Sequence, residues 1–219
     1  EIRNNPGNID VILDYGIFLL ENEELDSAKE KFSRIIELVP TFAPAWFYKG
    51  ETLLNSENSS EAVDCYKKAI EIDSSLPGPR FRLAQIHASQ EEYQQAIQYL
   101  DEEVALELDD LDVLLSMAWM FAQLGQLDGA CRCFLRVLDS DRKEHHAFYG
   151  LGLCLALRQE NEGAYQCLEQ ACKLDPKSPD YQLAVCWIAL RQGQWDLAED
   201  RLGVARENSQ DNPQALKAC

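Results

Sequence analysis

Positive charge is scarce in this chain. Its 219 residues hold 20 Lys and Arg against 38 Asp and Glu, a formal net charge of −18. Phosphate neutralisation needs clustered Lys and Arg, and anionic bilayers attract basic segments, so nucleic acid and lipid headgroups are excluded as main partners. Long apolar runs are also lacking. The longest, Val113 to Leu124, is broken by Ser116 and Gln123 and falls short of the ~20 residues a membrane-spanning helix needs. No membrane insertion is expected. No secretory leader pattern opens the chain. It starts at Glu1 rather than Met, which suggests that upstream sequence has been removed.

Chemistry-bearing motifs are equally thin. There are three His and no paired CxxC, and Cys131-x-Cys133 is not a usual zinc half-site. No GxxxxGK[ST], HExxH or GxSxG occurs, and Gly150-x-Gly152 lacks the third glycine of a dinucleotide loop. His145 and His146, beside Asp141 and Arg142, read as residues opening a helix. Asp109-Asp110-x-Asp112 reads as a helix N-cap rather than a metal cluster. No enzyme activity, cofactor or metal is therefore expected. The eight cysteines are scattered among apolar residues of helical stretches; buried free thiols in a reducing, cytoplasmic compartment account for them.

What is present is a repeat. A 34-residue frame starting at Ile9, Ala43, Pro77, Leu111, His145 and Pro179 needs no insertion or deletion. Its twentieth place is always alanine: Ala28, Ala62, Ala96, Ala130, Ala164 and Ala198. Its eighth is always small (Gly16, Gly50, Ala84, Ala118, Gly152, Cys186), and its twenty-fourth always bulky (Phe32, Tyr66, Leu100, Phe134, Leu168, Leu202). Places 4, 7, 8 and 11, then 17, 20, 24 and 27, follow the i, i+3, i+4, i+7 spacing of two amphipathic helices, A and B. Small residues at places 8 and 20 allow close approach, with the bulky place 24 beside them. Gly125 and Gly193 near place 15 can end helix A, and Pro40 and Pro176 near place 32 can stop helix B. One such hairpin cannot bury its apolar faces alone, so neighbours must stack.

The pattern resembles the tetratricopeptide repeat (TPR) family. The second copy carries Trp46, Gly50, Leu53, Ala62, Tyr66, Ala69 and Asp73; the fifth carries Leu151, Gly152, Leu155, Ala164, Leu168, Ala171, Asp175 and Pro176. The resemblance implies an all-α, right-handed superhelical solenoid of six helix-turn-helix repeats, a fragment of a longer array, with A helices lining a concave groove. The expected organisation is the tail of a preceding repeat or cap over 1–8, repeats over 9–42, 43–76, 77–110 (atypical), 111–144, 145–178 and 179–212, and the start of a capping helix or further repeat over 213–219.

Helix A carries more apolar surface than its hairpin needs. Places 5, 9 and 12 lie roughly 120° round the helix from places 4, 7, 8 and 11, and in TPR proteins that face lines the groove. Candidate groove residues are Leu13, Ile17, Phe47, Phe81, Arg82, Leu115, Trp119, Tyr149, Leu153, Leu183 and Trp187, with the aromatic members as anchors. The alternative is that part of this stripe packs between successive A helices as core. Some TPR proteins grip a heat-shock chaperone tail through Lys, Asn and Arg at set places. Here those places hold Leu13, Ile17, Tyr48, Gly78 and Arg82, and with Arg82 alone matching, that partner is rejected.

The third copy departs most from the pattern, with Arg80 at place 4, His87 at place 11 and Glu103 at place 27. Arg80 and Glu103 face each other across the hairpin and are expected to form an ion pair; otherwise Arg80, Arg82 and His87 form a basic spot for a partner's carboxylate. The reading is a non-catalytic protein–protein interaction scaffold that holds an apolar or amphipathic segment of a partner polypeptide. A self-assembling structural module (a homo-oligomer) and a non-catalytic repeat arm of a larger enzyme are the alternatives.

Overall fold

The computed structural model describes residues 8–106 and 110–210. Residues 1–7 of the tail expected over 1–8, Asp109 and the expected further helix from Pro213 lie outside them. The chain divides between residues 107 and 108 into two compact units. Among the described residues the first holds α1 (Ile9–Glu21), α2 (Leu25–Leu38), α3 (Ala43–Asn55), α4 (Ser59–Ile72), α5 (Pro79–Ser89) and α6 (Tyr93–Val104). The second holds α7 (Leu111–Gln123), α8 (Leu127–Ser140), α9 (His145–Leu157), α10 (Asn161–Leu174), α11 (Pro179–Arg191) and α12 (Trp195–Gln210). The described residues contain no strand. Within each unit successive helices pack on one another, giving three stacked hairpins apiece. The protein is all-α and built from helix-turn-helix repeats.

The small and large places meet as their spacing requires. The place-20 alanines are at most 3% exposed. At Gly16, Gly50 and Gly152 an added Cβ would lie 2.6 Å from Phe32 Cε1, 2.6 Å from Tyr66 Cε1 and 2.7 Å from Leu168 Cγ. Place 8 is therefore small because the place-24 side chain of the same hairpin lies flat on its backbone. Phe32, Tyr66, Leu100, Phe134 and Leu168 are fully buried, each worth about 1.5–3 kcal/mol of apolar transfer. Leu202, in the last hairpin, is half-buried.

Every A-to-B turn has one geometry. Place 15 adopts positive φ in all six: Glu23, Glu57 and Glu91 at 60–62°, Gln159 at 67°, Gly125 and Gly193 at 72–73°. The next residue's N–H reaches back to the carbonyl at place 11, as in Glu24 to Leu19 and Gln126 to Phe121, at 2.9 and 2.8 Å. This is the 6→1 bond of a Schellman stop, which favours glycine at the left-handed residue. Gly125 and Gly193 were legible as stops; the same role at Glu23, Glu57, Glu91 and Gln159 was not.

Helix starts are capped locally. Asn8, Asn58, Asp110 and Glu144 each accept a hydrogen bond from a backbone N–H of the first turn that follows. Asp110 thus takes the capping role its acidic run suggested.

Candidate functional site

In the first unit the groove candidates sit against the core. Leu13 and Ile17 are half-buried on the cluster of Ile12, Leu19, Phe32 and Ala45. Phe47 packs on the cluster around Leu53, Tyr66 and Leu83, with its ring 6.0 Å from that of Tyr66. Phe81 is only 7% exposed and belongs to the interior.

Arg82 is engaged rather than free. Its Nε donates to Glu51 Oε1 at 2.9 Å, its Nη2 to Glu51 Oε2 at 2.7 Å and its Nη1 to Gln85 Oε1 at 2.9 Å. Glu51 Oε1 also accepts from the Tyr66 hydroxyl at 2.7 Å. The bidentate pair joins the second and third hairpins through charge-assisted bonds. Burial, then the Glu51 charge, raises the Tyr66 pKa well above the tyrosine range.

The expected Arg80–Glu103 ion pair is corrected. Arg80 Nε pairs with Glu102 Oε2 at 3.3 Å. Glu103, fully buried, instead accepts from the backbone N–H of Gly78 and so caps α5, with the Arg80 N–H and charge also favouring its ionised form. A carboxylate at place 27 points along the open start of the facing helix A, where orphan N–H groups are the nearer donors. Nor do Arg80, Arg82 and His87 gather into a basic spot. Arg80 and Arg82 hold separate glutamates, and His87 contacts Glu92 at 2.6 Å and stacks on Tyr99.

The second unit is more open. Leu115 is half-buried. Trp119, also half-buried, sets its edge on Phe134 with ring centroids 5.2 Å apart and lies 6.0 Å from Tyr149, which in turn lies 4.8 Å from Tyr181. Leu153 packs on the cluster of Leu168, Tyr181 and Ile188. On α11 the same places are uncovered: Leu183, Trp187 and Leu190 are 39, 41 and 43% exposed. Their i, i+4, i+7 spacing puts them on one face. The Arg191 guanidinium lies 4.9 Å from the Trp187 ring centroid and donates to the Ala156 carbonyl at 3.0 Å.

Concavities elsewhere among the described residues had no sequence signal, two of them in the hairpins. One of about 400 Å³ lies between α1 and α2, around Ile12, Tyr15 and Arg34. The other, of about 570 Å³, is lined by Phe148, Tyr165, Cys167 and Lys173. The seven cysteines among the described residues are free, and all but the half-buried Cys167 are buried. Burial raises the thiols of Cys65, Cys131, Cys154, Cys167 and Cys172, Cys154 to about 12 and Cys172 to about 11, which keeps these five protonated and poor as nucleophiles at neutral pH. Glu144, His145 and His146 bring donor atoms within 4.8 Å of one another.

Comparison with known proteins agrees with this architecture. Tetratricopeptide repeat models match residues 43–76, 81–114 and 115–179. A TPR repeat-containing protein of Dictyostelium discoideum is 24% identical over 182 residues, covering 82% of this chain and 59% of that protein. The peroxisomal targeting signal receptor of Candida albicans is 34% identical over 74 residues, 34% of this chain and 12% of the receptor. The crystal structure of YrrB, described as a TPR protein with an unusual peptide-binding site, superposes with a TM-score of 0.72 at 20% identity. That match covers 85% of this chain and 96% of that one. The chain belongs to the tetratricopeptide repeat family. Such repeats mark a protein–protein interaction scaffold, and the family is in general non-catalytic. No helix among the described residues is long and apolar enough to cross a membrane.

Proposed function

We propose that this chain is a non-catalytic scaffold that holds an apolar or amphipathic segment of a partner polypeptide against the A helices of its second unit. The observation that carries the reading is the uncovered Leu183–Trp187–Leu190 stripe on α11. An aromatic and two aliphatic side chains at helical spacing offer anchors that a partner can desolvate. Trp119, Tyr149 and Leu153 extend the apolar surface on the preceding A helices, while their contacts with Phe134, Tyr181 and the core hold them in place. In the first unit Leu13, Ile17, Phe47 and Phe81 serve mainly as packing. The free thiols among the described residues suit a reducing, cytoplasmic setting. The peptide-binding site described for YrrB, a protein of similar fold, supports the reading.

Peptide selection tests this. Displayed random peptides are panned against the chain and against Trp187→Ala. The wild type is expected to enrich apolar or amphipathic sequences that the variant, with unchanged helical circular dichroism, retains poorly. Equal enrichment by both, or none, contradicts the reading. A homo-oligomer filling the stripe would instead appear in light scattering as a dimer that Trp187→Ala dissociates.

A further inference from the structure

The start of α9 gathers metal-ligating side chains. Glu144, His145 and His146 each offer a donor atom there, and the three lie within 4.8 Å of one another. Glu144 is the N-cap: its Oε1 accepts from the His146 N–H at 3.0 Å and also lies 3.0 Å from His146 Nδ1. Capping accounts for the carboxylate but not for two imidazoles whose ring centroids stand 4.2 Å apart. His146 is exposed and its two companions half-buried, so an ion can reach all three.

Three observations favour a cation of the zinc type. Two imidazoles and a carboxylate are a donor set suited to Zn²⁺, Co²⁺ or Ni²⁺. The His145 Nδ1 lies 2.8 Å from the Tyr181 hydroxyl on α11. A hydrogen bond at one ring nitrogen orients the imidazole and leaves the other for a metal, the usual outer-shell arrangement. The surroundings are also negative. Asp175 and Asp180 stand near the Tyr181 hydroxyl, and Glu144 is itself one of the three donors. The start of α9 opposes a cation with about half an elementary charge, against the full charges of these carboxylates. Arg142 and Lys143 precede the cluster but are exposed to solvent, where their charge is screened. Tetrahedral donors at the zinc distance of ~2.0–2.1 Å stand about 3.3 Å apart, and the three donors here lie within 4.8 Å of one another before any ion is bound.

We propose that Glu144, His145 and His146 form a site for one divalent transition-metal ion, with the remaining coordination positions open to water. This site is separate from the α11 stripe and stands whether or not that stripe binds a peptide.

The test is titration of the whole chain with Co²⁺, followed by its visible absorption, with Zn²⁺ as competitor. One equivalent is expected to bind, to be displaced by Zn²⁺ and to show no thiolate-to-metal charge-transfer band. His145→Ala and His146→Ala should each remove saturable one-equivalent binding while leaving helical circular dichroism unchanged. Tyr181→Phe, which keeps all three ligands, should weaken it roughly ten-fold. Undiminished binding by His146→Ala, a charge-transfer band assigning the ion to cysteines, or no saturable binding by the wild type would each overturn the proposal. Should His145→Ala unfold the chain, His146→Ala and Tyr181→Phe decide the matter alone.

Discussion

Gly50 on α3 lies so close to Tyr66 on α4 that a Cβ there would stand 2.6 Å from Tyr66 Cε1 and 2.9 Å from Cδ1. The ring is fully buried and its hydroxyl is tied to Glu51, so it cannot swing aside. Gly50→Ala is expected to destabilise the protein by about 1–3 kcal/mol through overpacking, despite alanine's advantage of ~1 kcal/mol in helix propensity. Gly203, on α12, has nothing within 4 Å of such a Cβ, and Gly203→Ala should gain up to ~1 kcal/mol. Urea denaturation of both variants reads the opposite signs.

The turns supply a second prediction. Glu23, Glu57, Glu91 and Gln159 hold positive φ where Gly125 and Gly193 sit in the other two repeats. A side chain in that region costs roughly 1–2 kcal/mol, partly offset by the greater unfolded-state freedom of glycine. Replacing any of the four by glycine is expected to raise stability by ~0.5–1 kcal/mol, and Gly125→Ala or Gly193→Ala to lower it by a similar amount. Denaturation midpoints of the six variants check this.

Glu103 predicts a pH dependence. Burial raises its pKa, outweighing the Gly78 and Arg80 N–H groups and the Arg80 charge that lower it. The folded state therefore holds the proton more tightly than the unfolded chain. The stabilisation this brings is complete below the unfolded value of ~4.3 and is lost as pH rises through the folded value. Glu103→Gln keeps an oxygen to accept from Gly78 and cannot ionise. The stability of the wild type relative to Glu103→Gln should fall as pH rises from about 4 through the folded value and then level off. A difference independent of pH would contradict it.

The Arg82–Glu51 pair should couple the second and third hairpins. Its two parallel bonds at 2.9 and 2.7 Å are largely shielded on the glutamate side, whose side chain is 15% exposed. A double-mutant cycle with Arg82→Met and Glu51→Gln is expected to give a coupling energy of ~1–2 kcal/mol, well above the ~0.5 kcal/mol of an exposed pair.

The backbone plan of the molecule was legible because each hairpin repeats one packing rule. Alanine at place 20 and a small residue facing a bulky one across places 8 and 24 leave a spacing that only close helix pairs explain. The partners of Arg80 and Glu103 were not legible. Spacing fixes the side of a helix from which a residue leaves, but a long flexible side chain then chooses among several partners within reach, here the Glu102 carboxylate for Arg80 and the Gly78 N–H at the start of α5 for Glu103. The candidate site was half legible for a related reason. Places 5, 9 and 12 recur with apolar residues in most repeats, yet Phe81 is covered and Trp187 is not. Cover depends on which neighbouring helix leans over each position, and a one-dimensional pattern does not contain that. The left-handed glutamates escaped notice because tertiary packing imposes a conformation that their own propensity opposes.

The most direct test is the affinity of a selected peptide for three proteins: wild type, Trp187→Ala and Leu157→Ala. Leu157 is a larger exposed leucine, at 62%, that lies off the stripe. Removing an anchor of the stripe should cost about 2 kcal/mol of binding, roughly thirty-fold in Kd, with no change for Leu157→Ala. Equal losses in both variants, or none in Trp187→Ala, would show that the α11 stripe is not where a partner sits.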